Sequence, residues 1–112
     1  MPARGVLVLY VSNQGSRTPK VDIHVRIDGK AVIAAPFDVG NQHNWVRYTF
    51  RLRQGRHVLK ARGRGGAARL TRSFELGVRK WAVLEYWDYH DTGTVPEPRF
   101  TFRLSNRPIA FE

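Results

Sequence analysis

Short segments in which apolar and polar side chains alternate with a period of two dominate this sequence. The clearest is Val21–Ile27, where β-branched residues alternate with charged residues and histidine. This period places the two sets of side chains on opposite faces of a strand. Asp28-Gly29 follows directly, and this dipeptide favours a two-residue primed turn, so we expect the chain to fold back over Ala31–Ala34. No window carries apolar residues at helical spacing over three turns, so the pattern indicates a β protein.

Comparable segments recur along the chain, separated by turn residues. The predicted strands are Arg4–Ser12, Val21–Ile27, Ala31–Ala34, Trp45–Arg53, Arg56–Arg62, Ala68–Leu76, Trp81–Tyr89 and Arg99–Leu104. Pro36 and the residues after it are expected to interrupt the pattern. Short strands with turn signals about every 8–12 residues are typical of an all-β sandwich or small barrel. We predict an all-β, two-sheet antiparallel sandwich of seven or eight strands, in a single domain spanning residues 1–112.

The strand Trp81–Tyr89 carries large side chains on both faces. Ala82, Leu84 and Tyr86 share one face, and Trp81, Val83, Glu85, Trp87 and Tyr89 share the other. An unpaired carboxylate is costly in a core, so the face that contains Glu85 is predicted to point outward. Two tryptophans, a valine and a tyrosine would then lie outside the sheet and need cover from a partner or from another segment.

Composition narrows the classes of protein that the chain can represent. The 112 residues include no cysteine, which excludes disulfides, thiolate zinc sites and cysteine nucleophiles. No targeting segment and no apolar run long enough to span a membrane is visible, so the expected location is the cytoplasm. The 19 Lys and Arg residues against 9 Asp and Glu favour a polyanionic partner, although Arg, Ala, Gly and Val also share GC-rich codons.

Three segments resemble a known class of module. Val25–Val32 and Leu52–Ala61 form a pair of hairpins with the pattern DG…G-x-H-x-L, and Phe74–Leu76 precedes an aromatic strand. Over roughly Val21 to Tyr89 the sequence resembles immunoglobulin-like and transthyretin-like sandwich modules, and PEGA-like domains most closely. The resemblance implies a binding or scaffolding module without catalytic residues. Many of those modules are appended to larger or secreted proteins.

The first candidate site is the outward face of the aromatic strand, formed by Trp81, Val83, Trp87 and Tyr89. Aromatic residues are enriched at the centres of interfaces, so this face is predicted to bind a protein partner or a second copy of the chain. The alternative is cover from within the chain, by the N-terminal strand or by the segment Pro108–Phe111.

Two further surfaces offer other classes of ligand. Amides beside an aromatic ring suit carbohydrate binding, and the residues that supply them are Asn41, Gln42, His43, Asn44 and Trp45; turn chemistry is the alternative reading. Outward arginines could hold a polyanion or nucleic acid, and the predicted residues are Arg26, Arg47, Arg51, Arg53 and Arg62. A solvated basic face is the alternative for these arginines.

Catalytic, metal and cofactor sites are not predicted. The histidines have no recognised ligand spacing, and the serines lack a nucleophile-elbow context. His57 is predicted to be a packed residue whose ring bonds a neighbouring carbonyl. Gly63–Gly66 is predicted to be a loop tip, because no helix follows it as a phosphate-binding loop requires. We expect a non-enzymatic interaction module that uses no cofactor.

Overall fold

The computed structural model describes residues 3–14, 20–38, 45–87 and 98–109. Each predicted strand is present, most with boundaries extended by a few residues. The strands are β1 (Arg4–Asn13), β2 (Lys20–Ile27), β3 (Lys30–Asp38), β4 (Val46–Arg53), β5 (Gly55–Gly63), β6 (Ala68–Leu76), β7 (Arg79–Trp87) and β8 (Arg99–Ser105). A single 3₁₀ turn, Arg64–Gly66, connects β5 to β6 at the predicted loop tip. Within the described ranges, no helix has the length and apolar character needed to cross a membrane.

The strands form two packed four-stranded sheets, which confirms the predicted sandwich. Sheet I has the order β4-β1-β7-β8, and sheet II has the order β3-β2-β5-β6. One pair departs from the predicted antiparallel arrangement, because β1 runs parallel to β7. The other strand pairs are antiparallel. The N-terminal strand therefore lies beside the aromatic strand within sheet I and does not fold over its outward face.

The core lies between the sheets and contains the side chains that the period of two assigned to the inward faces. From β2, Val21, Ile23, Val25 and Ile27 are at most 2% exposed, and from β7, Ala82, Leu84 and Tyr86 are fully buried. The predicted β2–β3 turn is also confirmed. Asp28 and Gly29 have φ of 53° and 82°, and positive φ at both central residues is the geometry of a primed turn.

Two boundary predictions are wrong. β1 continues through Ser12 and Asn13, which are buried, and the Asn13 Nδ2 donates to the Phe37 carbonyl at 3.0 Å across the sandwich. Pro36 does not interrupt β3, because β3 is an edge strand and one side of its backbone has no partner strand to bond. Val46 lies on the inward side of β4, opposite Val11, but is 47% exposed because it stands at the start of the strand.

Candidate functional site

The outward face of sheet I brings together the aromatic strand and a set of arginines, and we call it the aromatic–arginine face. Strand register sets its rows, since residues paired across neighbouring strands point to the same side. One row runs, in strand order, through Arg47, Tyr10, Val83 and Arg103. The next row runs through Thr49, Val8, Trp81 and Ser105. With strands about 4.8 Å apart, the two arginines of the first row lie roughly 14 Å apart at the backbone.

The centre of this face is apolar and partly covered. Val83 is 1% exposed and Val8 is 7% exposed, although both point away from the core between the sheets. Tyr10, Trp81 and Trp87 are each half-buried. The face therefore has a closed apolar floor from which aromatic rings remain partly accessible.

Hydrogen bonds hold two of the indole rings at this face. The Trp87 Nε1 donates to the Thr101 Oγ1 at 2.8 Å, and the Trp45 Nε1 donates to the Glu85 Oε2 at 3.3 Å. Ordered rings lose little conformational entropy when a ligand packs against them. The predicted outward orientation of Glu85 is confirmed, and its carboxylate is engaged by an indole.

Charge on the aromatic–arginine face is strongly one-sided. By strand register and alternation, seven arginines point outward from sheet I: Arg4, Arg47, Arg51, Arg53, Arg79, Arg99 and Arg103. Glu85 is the one carboxylate that points outward from the same strands. Among the described residues, no carboxylate pairs with the guanidinium of Arg47, Arg51 or Arg103. These exposed cations are therefore available to an anion.

The structure unites two predicted sites and divides a third. Trp81, Val83 and Trp87 of the predicted interface share one face with Arg47, Arg51 and Arg53 of the predicted polyanion surface. The remaining predicted arginines, Arg26 and Arg62, lie on β2 and β5 and point outward from sheet II, on the opposite side of the sandwich. Tyr89 lies outside the described residues.

The predicted carbohydrate site falls mostly outside the described residues. Asn41, Gln42, His43 and Asn44 are not described, so their arrangement as a site stays a prediction. Trp45 is half-buried at the start of β4, and its contact with Glu85 assigns its ring to the aromatic–arginine face.

His57 has the structural role that the sequence predicted. Its ring is buried; the Nε2 lies 2.6 Å from the Arg53 carbonyl and the Nδ1 lies 2.5 Å from the Asp28 Oδ2. Both partners are acceptors, so the cationic ring, with a proton on each nitrogen, is the form that satisfies both contacts. Burial opposes this charge, but the bonds to Arg53 and Asp28 outweigh it and raise the pKa of His57 above 6.5.

Asp28 in turn ties the β2–β3 turn to β5. Its Oδ1 accepts the Val58 N–H at 2.9 Å, while its Oδ2 accepts from His57. Burial raises the pKa of Asp28, but the hydrogen bonds from His57 and Val58 outweigh burial and leave the pKa below 3.8. We call the pair Asp28 and His57 the turn clamp, because both nitrogens of the imidazole contact groups that hold the β2–β3 turn and β5 in place.

The part of the chain that the structure describes contains no metal-binding cluster. No three His, Asp or Glu side chains there approach closely enough to hold a metal ion. Asp88, His90 and Asp91, which adjoin one another in the sequence, lie outside the described residues.

Several residues of the site were missed at the sequence level. Tyr10 and Val8 join the face because β1 pairs with β7, a contact between segments about seventy residues apart in the chain. The continuous apolar run of β1 was the available signal, since strands buried on both faces lack alternation. Arg79 and Arg99 could have been found from their even spacing to the outward residues of the same strands.

Comparison with known proteins does not assign the chain to a family. The chain matches no protein-family model, and no curated protein is similar to it in sequence.

Proposed function

We propose that this protein is a non-catalytic binding module that holds single-stranded nucleic acid on the aromatic–arginine face. The observation that carries the proposal is the row Arg47–Tyr10–Val83–Arg103 beside Trp81. It places cations at the two edges of a single sheet and partly accessible rings between them. Proteins that bind single strands combine a basic surface for the phosphates with aromatic rings on which bases stack.

Each half of the face contributes a different interaction. The arginines at the two edges of sheet I offer planar donor groups that suit phosphate oxygens. The rings of Tyr10 and Trp81 lie between these edges, where a base would stack. A single strand that crosses the sheet would then place its backbone near an arginine edge and its bases over the centre.

The charge of the face disfavours the two other partners proposed for it. A second copy packed on the same face would bring seven outward arginines against seven, with one carboxylate from each chain. Like charges brought together in an interface suppress association. An acidic protein surface satisfies the charge but does not pair each anionic group with a planar ring, as every nucleotide does, so it ranks below single-stranded nucleic acid.

Fluorescence anisotropy with a labelled 12-nucleotide single strand tests the proposal. We expect saturable binding at about 50 mM salt, accompanied by quenching of tryptophan emission because all three Trp residues lie at this face. Trp81→Ala should weaken binding about tenfold, the effect of losing one stacked base. Arg56→Ala, an exposed arginine on sheet II, is the matched control and should bind as the wild type.

Competition identifies the class of partner. Unlabelled single strand should compete far better than duplex, heparin or polyglutamate, which lack accessible base faces. If polyglutamate competes as well as the single strand and Trp81→Ala binds normally, the partner is an acidic protein and the nucleic-acid proposal fails.

Dilution separates partner binding from self-association through the same face. Acrylamide quenching of tryptophan emission is measured over a hundredfold dilution, without ligand. We expect constant quenching, because the arginines oppose pairing of two such faces. Quenching that strengthens on dilution would identify a dimer that covers the rings, and would overturn the proposal in favour of self-association.

A further inference from the structure

The outward face of sheet II contains a separate basic depression. It has a volume of about 250 Å³ and lies over β2, β5 and β6, on the opposite side of the sandwich from the aromatic–arginine face. Its outward lining residues, which we call the cationic grid, are His24, Arg26, Lys60, Arg62, Arg69 and Thr71.

Strand register arranges the cationic grid in two rows of three. One row is His24–Arg62–Arg69, and the other is Arg26–Lys60–Thr71. At normal strand spacing the grid covers roughly 10 Å across the strands by about 7 Å along them. Side chains that can donate hydrogen bonds occupy every position.

Like charges face each other directly within this grid. Arg62 is paired with Arg69, and Arg26 is paired with Lys60. Like charges directly opposite on neighbouring strands destabilise a sheet. Among the described residues, no carboxylate pairs with any of these four cations. An anion bound between the rows would relieve this repulsion.

Backbone contacts hold two of the guanidinium groups in place. The Arg69 Nε donates to the Gly66 carbonyl at 3.1 Å, and an Arg26 Nη donates to the Gly29 carbonyl at 3.3 Å. Each contact uses one donor and leaves the other N–H groups of the guanidinium for a ligand. The cations are thus partly ordered before any anion arrives.

The geometry points to a binding site for linked phosphate groups, as in tripolyphosphate or the phosphate chain of a nucleotide. Four cations around one depression match an anion of several charges better than a single phosphate. The cavity lies just below the roughly 300–1,000 Å³ of typical small-molecule pockets, so the ligand is compact. No Trp, Tyr or Phe lines the depression, so the phosphate chain and not a base is recognised. This site is independent of the nucleic-acid proposal.

Isothermal titration with sodium tripolyphosphate at about 50 mM salt tests the inference. We expect one site per chain, with orthophosphate at least tenfold weaker. The double variant Arg62→Ala/Arg69→Ala should weaken tripolyphosphate binding more than tenfold. Arg56→Ala lies on the same strand and face as Arg62 but outside the depression, and should bind as the wild type.

Further measurements distinguish a nucleotide from an inorganic phosphate chain, and binding at the cationic grid from binding at the aromatic–arginine face. Binding of ATP equal to that of tripolyphosphate supports a nucleotide ligand, and weaker binding of ATP supports an inorganic chain. Tripolyphosphate should leave tryptophan emission unchanged, because the tryptophans lie at sheet I. Unaltered binding by Arg62→Ala/Arg69→Ala, or its loss in Arg47→Ala/Arg103→Ala, would overturn the inference. Failure of single-strand binding would leave it intact.

Discussion

The two outward faces of this sandwich carry similar charge but differ in what lies between the cations. On sheet I, arginines on the edge strands β4 and β8 flank an apolar centre that contains Tyr10, Val83 and Trp81. On sheet II, three of the four cations stand on the inner strands β2 and β5 and the fourth, Arg69, on the edge strand β6, around a depression without Trp, Tyr or Phe. Net charge alone thus predicts an anionic partner, while the groups between the cations determine which anion fits.

The central strand pairs of the two sheets differ in the side chains that they turn outward. In the middle of sheet I, β1 and β7 turn valines and aromatic residues outward. The cations of this face lie on the edge strands or, for Arg4 and Arg79, at the starts of the two central strands. In sheet II the central β2–β5 pair is antiparallel, and its paired outward positions carry His24, Arg26, Lys60 and Arg62. The outward residues of the central strand pair therefore distinguish the two faces, since they are mainly apolar and aromatic on sheet I and basic on sheet II.

The largest effect is expected from introducing a charge at the centre of each face. Val83→Asp buries a carboxylate at a position that is 1% exposed, which we expect to cost about 3 kcal/mol of unfolding free energy. Val58→Asp is the matched change on β5, at an outward, half-buried position between Arg56 and Lys60 along the strand, and should cost less than about 1 kcal/mol. Urea unfolding measures both. Equal losses would show that the centres of the two faces do not differ in burial.

The salt dependence of single-strand binding sharpens the comparison. Arg47→Ala/Arg103→Ala should weaken binding about thirtyfold and reduce the slope of log affinity against log salt by about 1.4, or 0.7 for each lost phosphate contact. Arg26→Ala/Arg62→Ala removes the same charge from sheet II and should leave the slope unchanged. If both double variants reduce the slope equally, the nucleic acid binds in response to the total charge of the protein and not to the aromatic–arginine face.

The sequence predicts the strands of both faces better than it predicts their assembly. Alternation placed Trp81 and Glu85 on one outward face and Ala82 in the core, because these orientations depend on local backbone geometry alone. Part of the cationic grid can also be predicted from the sequence, because the turn at Gly63–Gly66 sets Arg62 opposite Arg69 in the β5–β6 hairpin.

The remaining contacts depend on pairings between distant segments. Neither the β1–β7 pair nor the β2–β5 pair has a short turn that fixes its register, so the neighbours of Tyr10 and Arg26 could not be read from the sequence. The Asp28–His57 clamp has the same origin: the carbonyl partner of His57 is four residues away, while its carboxylate partner is 29 residues away. Only the first partner was predicted.

A pH-dependent effect of intermediate size is expected in sheet II through this clamp. The pKa of His57 is raised in the folded protein. Its contribution to the free energy of unfolding is therefore complete below about pH 6.5, the ordinary value of a histidine. This contribution is lost as the pH rises through the folded pKa. The pKa of Asp28 is lowered, so its contribution is lost as pH falls through that lowered value, below 3.8. We expect the free energy of unfolding to fall by about 1 kcal/mol between pH 6 and pH 9. This is the contribution of a charge-assisted hydrogen bond, reduced because Asp28 is 47% exposed to solvent.

Asp28→Asn is the matched variant for this effect. Asparagine tolerates the positive φ of 53° and can still accept the Val58 N–H, but it removes the charge beside His57. The wild type's free energy of unfolding, measured with urea, should decrease between pH 6 and pH 9. Most of this decrease should be absent in the variant. Hydrogen exchange at pH 9 should rise first at the β2–β3 turn of the wild type, while sheet I stays protected. A decrease of the same size in Asp28→Asn would exclude the clamp as its cause.

The smallest effect has the opposite sign from most substitutions. Arg62→Ala removes a cation that faces Arg69, so without ligand we expect it to stabilise the fold by about 0.5 kcal/mol, or about 2 °C in melting temperature. Arg56→Ala removes a cation that faces Glu75 on the same strand pair and should lower stability slightly. Saturating tripolyphosphate should reverse the order of Arg62→Ala and the wild type, because only the wild type has the full grid to bind it. A ligand-free Arg62→Ala that melts below the wild type would mean that the like-charge row carries no strain for an anion to relieve.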